Sequence, residues 1–181
     1  MEDTGHKIIR VFLTGPESTG KTDLTRALAA KFNTGSIEEY AREYVLNLNR
    51  PYNYKDVIHI ALKQVEQLKD YSEKKHSLLF VDTYLVITKI WFVEVFGKYP
   101  DWIDTEIEKT GNDLYLLCKP DIPWVKDEVR ENGGVMREIL FNEYENELKN
   151  ANLNYSIVEG KGDVRFENAE SKVKEFLKKR L

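Results

Sequence analysis

Gly15, Pro16, Glu17, Ser18, Thr19, Gly20, Lys21 and Thr22 stand in the spacing G-x-x-x-x-G-K-[ST], a pattern whose chemistry is phosphate binding. The glycines let the backbone curl with its N–H groups inward. A helix beginning at the end of the turn adds partial positive charge, so the stretch forms a nest for a polyphosphate. Lys21 is placed to reach β- and γ-phosphates, and the Thr22 hydroxyl to ligate Mg²⁺.

Three further stretches carry groups suited to a phosphoryl-transfer site. Residues 78–82 are Leu-Leu-Phe-Val-Asp, an apolar strand ending in an acid, which makes Asp82 the expected second magnesium-linked group. Residues 38–44 hold Glu38, Glu39, Tyr40, Arg42, Glu43 and Tyr44 at the carboxyl end of an expected strand, where open α/β sheets present their ligand crevice. A carboxylate there can take a proton from an attacking hydroxyl, and a tyrosine can stack on a flat ring. Residues 119–137 combine prolines, glycines and many charges and read as a lid that closes over a triphosphate and expels water. Its Arg130 and Arg137 can place guanidinium groups on the transferring phosphoryl. A glycine-rich turn at 159–166, containing Arg165, is placed to border a nucleotide base.

The elements that must position these groups follow from hydrophobic patterning. Residues 8–14, β-branched and apolar, read as a buried central strand. Leu24, Leu28 and Phe32 recur every fourth position after the phosphate-binding turn, as on an amphipathic helix. Further strands are expected at 35–40, 78–82, 113–118 and 155–158, with helical patterns at 54–75 and 135–150 and in the tail through Phe166, Ala169, Val173, Phe176 and Leu177. Five strands alternating with helices imply a three-layer α/β fold around a mostly parallel sheet. At 181 residues, the chain is expected to form one domain, residues 1–181.

Composition narrows the class. The net charge is −4, from 27 basic and 31 acidic residues spread along the chain, which argues against a generic nucleic-acid platform. Lys172, Lys174, Lys178, Lys179 and Arg180 cluster near the end, where cations complement a helix dipole and read as a solvated face. The single cysteine, Cys118, forms no internal disulfide, and His6, His59 and His76 lie far apart without zinc-ligand spacing. The first residues show no signal peptide, and no apolar run is long enough to span a membrane. A cytoplasmic protein is expected. The oligomeric state is left open, a homo-oligomer included.

Taken together, Gly15 to Thr22, Glu39-Tyr40-Ala41-Arg42-Glu43, Asp82-Thr83, and Pro120-Asp121 with Trp124, Asp127, Arg130 and Arg137 resemble the nicotinamide riboside kinase domain of NadR-type NAD-biosynthesis regulators. The resemblance covers most of the chain. It implies a phosphate-loop nucleoside-kinase fold with strand order 2-3-1-4-5, ATP as donor and the ribose 5′-hydroxyl of nicotinamide riboside as acceptor. It places Lys21 and Thr22 at ATP and Mg²⁺, Arg130 and Arg137 in the lid, and Glu17 where similar kinases present an acid to the acceptor. Trp124 and Asp127 join the substrate-binding set. An aromatic residue often precedes the Glu-Tyr pair in that family, but Glu38 stands here. The stack on nicotinamide then falls to Tyr40, Tyr44 or Trp124, or the substrate differs. The chain is read as carrying at most the kinase step of the larger regulators, with either Asp82 or Glu39 orienting the attacking hydroxyl. A nucleotide kinase using Arg42 for the substrate's own phosphate is the second enzyme reading. A regulatory ATPase acting through partners is the reading from another class.

Overall fold

The computed structural model describes residues 8–72 and 77–180, without the side chain of Ser72. His6, His76 and the expected helix end at 73–75 lie outside them. Five parallel strands, β1 (Ile9–Thr14), β2 (Gly35–Ile37), β3 (Leu78–Asp82), β4 (Leu114–Cys118) and β5 (Asn154–Val158), form one sheet in the order β2-β3-β1-β4-β5. The expected order is therefore observed. Helices α1 (Lys21–Lys31), α2 (Tyr40–Leu46), α3 (Tyr54–Ser72), α4 (Leu85–Phe96), α5 (Trp102–Glu108), α6 (Val135–Asn150) and α7 (Gly162–Lys178) connect the strands.

The strand alternation divides the core into two layers, one on each side of the sheet. Val11, Leu13, Phe80, Leu114 and Leu116 share a cluster with Leu24 and Leu28 of α1 and Ala169 and Val173 of α7. Phe12, Leu79, Val81, Tyr115 and Leu117 belong to the other, with residues of α3, α4, α5 and α6. Strands covered on both faces must be apolar at every position, and every residue of β3 and β4 is buried. Phe12 lies between Tyr84 and Tyr115, stacked on each with ring centroids 4.8 Å apart. Burial holds both phenols neutral well above the usual tyrosine range.

Several boundaries differ from the pattern-based expectation. The strand expected over 35–40 ends at Ile37, because Tyr40 already opens α2. Helices α2, α4 and α5 are additions to the expected elements. Their sequences hide for different reasons: α4 is apolar nearly throughout, so no polar stripe marks its period, and α2 and α5 are 7 residues long each. Among the described residues, no helix is long and apolar enough to cross a membrane, and no group of three or more His, Cys, Asp or Glu side chains is placed to hold a metal.

Because Phe12 is fully buried between two stacked rings, Phe12→Ala is expected to lower the unfolding free energy by about 3–5 kcal/mol. A urea denaturation series reads this directly. A loss below about 1 kcal/mol would mean that the surrounding layer closes the cavity.

Candidate active site

The phosphate-binding loop leaves β1 at Thr14 and enters α1 at Lys21. Its turn requires glycine at the first position, since Gly15 has φ 141° and a Cβ there would lie 2.6 Å from the Cys118 carbonyl oxygen. With N–H groups turned inward, the loop carbonyls face outward and need donors. Lys21 Nζ donates to the carbonyls of Gly15 and Pro16, 2.9 Å each, and the buried Thr19 hydroxyl also donates to Pro16 O, 2.9 Å. Arg137 takes the next two: its Nε donates to Glu17 O at 3.1 Å and its Nη2 to Ser18 O at 2.9 Å.

At the helix start, Thr22 Oγ1 donates to Asp82 Oδ2 at 2.5 Å, and Thr83 Oγ1 donates to the other oxygen, Oδ1, at 3.3 Å. Asp82 is buried at the end of β3, and Thr83 beside it adopts a left-handed φ of 66°. A β-branched residue there is strained, a feature that gathers at functional sites. A hydroxyl and a carboxylate make a hard-oxygen pair that suits Mg²⁺, which retains several waters and needs few protein ligands.

Glu39 occupies the position just before α2, without a side-chain hydrogen bond to the helix. Part of its surface meets solvent, yet it sits deep among neighbouring atoms, and this burial raises its carboxyl pKa. Lys21 pulls in the opposite direction, while the charge of Asp82 adds to the rise. Next to it, Tyr40 Oη lies 2.9 Å from His59 Nε2, and the Tyr44 ring packs on His59 at 4.9 Å. Tyr44 Oη donates to Asp56 Oδ1 at 3.0 Å, and Arg50 donates to both oxygens of Asp56 at 2.7 and 2.9 Å. Arg50, with Asn53 N–H and Tyr44, holds the Asp56 carboxyl far below the usual range. Glu43 is exposed on α2.

The segment between β4 and α6 closes the crevice and is fastened at both ends. Toward the phosphate side, the Glu17 carboxylate accepts the N–H groups of Glu131 at 3.2 Å and Asn132 at 3.0 Å. Ser18 Oγ accepts the N–H of Val125 at 3.0 Å. Toward α2, Arg42 Nη2 donates to Asp127 Oδ2 at 2.7 Å, and Tyr52 Oη donates to Glu131 Oε2 at 3.2 Å. Asp127 Oδ1 also accepts the N–H groups of Val129 and Arg130, 3.0 Å each. Burial opposes ionisation of Asp127, but the Arg42 hydrogen bond and these amides keep its pKa below the usual value. Arg130 pairs with Asp127 at 3.1 Å.

A family model described as an AAA domain matches residues 10–165. The chain belongs to the AAA domain family. It is 30% identical over 173 residues to the trifunctional NAD biosynthesis/regulator protein NadR of Salmonella typhimurium strain LT2, a match covering 92% of this chain and 42% of that protein. The chain thus spans less than half the length of the curated relatives it matches. Among solved structures, NadR in complex with NR is 25% identical with a TM-score of 0.73, over 93% of this chain and 51% of that one. NadR in complex with NAD and AMP-PNP is 22% identical with a TM-score of 0.70, over 93% of this chain and 49% of that one.

Against the sequence expectations, the structure gathers Lys21, Thr22, Glu39 and Asp82 on one side of the crevice and redirects others. Arg137, expected as a lid guanidinium, lies buried in the first turn of α6 with all three donor nitrogens on carbonyls, the third being Ile122 O at 2.9 Å. Burial lowers its pKa from the ordinary arginine value. Arg165, expected at the nucleotide, is also buried. It donates to Asp121 Oδ1 at 2.7 Å and to the carbonyls of Gly160 and Lys119, 2.9 Å each, which joins the turn after β5 to the end of β4. Glu17, expected to face the acceptor, accepts lid amides. Trp124, expected as a stacking ring, lies against Gly133, where a Cβ would meet it at 3.2 Å, and its indole nitrogen is buried without a partner among the described residues. Sequence reasoning missed Asn132 and Tyr52, whose partners are more than 75 positions away.

Arg137→Met keeps the side-chain bulk and removes three donors, so the loop carbonyls lose their partners. The expected cost is about 3 kcal/mol in urea unfolding, with earlier proteolytic cleavage in the 119–134 segment. Unchanged stability with lost turnover would instead place Arg137 in the chemistry.

Proposed function

We infer that the chain is an ATP- and Mg²⁺-dependent kinase acting on the 5′-hydroxyl of a ribonucleoside, with nicotinamide riboside as acceptor and nicotinamide mononucleotide as product. The observation that carries this reading is the Thr22–Asp82 pair, 2.5 Å apart, at the start of the helix that follows the phosphate loop, with Glu39 near enough to feel the charges of both Lys21 and Asp82. The likeness to NadR, solved in complex with NR and with AMP-PNP, supports the choice of acceptor and donor. The lone cysteine is buried and unpaired, which suits a reducing compartment, and we assign the enzyme to the cytoplasm.

Asp82 is already engaged by two hydroxyls, so Glu39 is the better proton acceptor. The acceptor's 5′-oxygen forms the new bond to the γ-phosphorus. The bond from that phosphorus to the β–γ bridging oxygen breaks, ADP leaves with the electron pair, and the hydroxyl proton passes to Glu39. Lys21 supplies positive charge to the phosphates, and Thr22 and Asp82 would hold the metal. Bound Mg²⁺ would supply neutralisation of the phosphate charge. The lid excludes water from the transfer. A cationic nicotinamide ring suits the wall formed by Glu39, Tyr40 and Tyr44, because carboxylates and tyrosine faces both attract positive charge.

Turnover of nicotinamide riboside, uridine, thymidine and thymidine monophosphate under saturating ATP tests the assignment. Nicotinamide riboside is expected to show the highest kcat/KM, and Lys21→Ala to lower it by about a thousandfold. Thymidine monophosphate as the best substrate would sink the reading. A second test uses pH. Glu39 works as a base only when ionised, and its pKa is raised, so kcat/KM is expected to climb with pH through a limb above the ordinary glutamate range. Glu39→Gln should flatten that limb and cost roughly a hundredfold or more in rate. An unchanged limb would assign the base elsewhere.

A further inference from the structure

The segment from Glu38 to Leu46 contains one cation, Arg42, and a phosphate on the acceptor would need a guanidinium in this region. The neighbouring arginines are engaged as well. Arg26 pairs with Glu38 and Arg50 with Asp56, both at 2.7 Å. Arg42 donates to Asp127 from the lid, 85 positions away, at the same separation. Asp127 has little freedom to release it, because its second oxygen is fixed by the N–H groups of Val129 and Arg130, while the Arg130 guanidinium, 3.1 Å away, shares the oxygen that Arg42 holds more closely. The lid therefore brings a carboxylate to the cation that a nucleotide substrate would require.

We propose that Asp127 is a specificity-determining residue that restricts the acceptor to an unphosphorylated nucleoside, by occupying Arg42 when the lid is down. This rests on the kinase reading above and deepens it. A second phosphate entering the crevice meets a carboxylate held in place and a guanidinium already bonded. A ribose hydroxyl meets neither obstacle. Asp127 acts through Arg42, so it positions a cation and takes no part in phosphoryl transfer.

The test compares nicotinamide riboside with nicotinamide mononucleotide, and uridine with uridine monophosphate, by calorimetric binding to the wild-type protein, Asp127→Asn, Arg42→Gln and the double variant. Asp127→Asn keeps a hydrogen-bond acceptor but removes the charge, and is expected to tighten the mononucleotide relative to its nucleoside by roughly tenfold. The double variant should return that ratio to within about threefold of wild type, since the gain requires Arg42. Arg42→Gln alone removes the guanidinium while Asp127 stays held by Arg130 and two backbone N–H groups, and should weaken the mononucleotide relative to the nucleoside. It also reads the proposal if Asp127→Asn fails to fold. A ratio unchanged in both single variants, or a gain that persists in the double variant, would overturn the proposal. Because binding is read without turnover, the two readings fail separately. A wild-type protein that phosphorylates no nucleoside ends the kinase assignment, whereas an active wild type with unchanged ratios ends only the role of Asp127.

Discussion

A loop that turns its N–H groups toward a polyphosphate must turn its carbonyls away from it, and those carbonyls need donors of their own. The rest of the site is built around that constraint. From Gly15 to Ser18, each carbonyl receives a side-chain donor: Lys21 serves the first two, Thr19 the second again, and Arg137 the last two. Because Arg137 also binds Ile122 O, the satisfaction of the loop and the placement of the lid's first residues depend on one guanidinium. Glu17 and Ser18 extend the same body by taking lid amides. The loop that cradles phosphate and the base of the segment that covers it are thereby one unit.

Around this unit the carboxylates are separated by environment. Glu39 is raised by burial, whereas Asp56 and Asp127 are lowered by arginines and backbone N–H groups. Carboxylates of ordinary intrinsic acidity thus divide into one suited to receiving a proton and two that remain charged anchors. Asp127 joins α2 to the lid and Asp56 joins Tyr44 of α2 to the start of α3, so the geometry around Glu39 depends on ion pairs that themselves take no proton.

The sequence displays whatever is local. The phosphate loop, the apolar runs of β1, β3 and β4, and the amphipathic stripe of α3 are readable because their signal lies within a few residues. The boundary of β2 is not, since Gly35–Ile37 is too short to show alternation and merges with Glu38 and Glu39 before α2. Of the candidate site, Lys21 and Thr22 could be found from the phosphate-loop motif, and Asp82 and Glu39 from their position at or just past strand ends. The partners of Arg42 and Glu17, and those of Arg137 in the phosphate loop, could not, because each contact spans from 85 to 120 positions. Arg137 looks in sequence like a free lid cation, and only the folded chain shows its three nitrogens donating to backbone carbonyls.

The Gly15 turn touches the sheet at Cys118, the last residue of β4 and the one cysteine of the chain. The thiol is fully buried and its pKa is pushed up to about 11, so thiolate is scarce near neutral pH and the sulfur is shielded from reagents. Its alkylation must wait until the core layer it shares with α1 and α7 opens. The rate of that modification is consequently a clock for the opening of that layer against the sheet, built into the chain without any label.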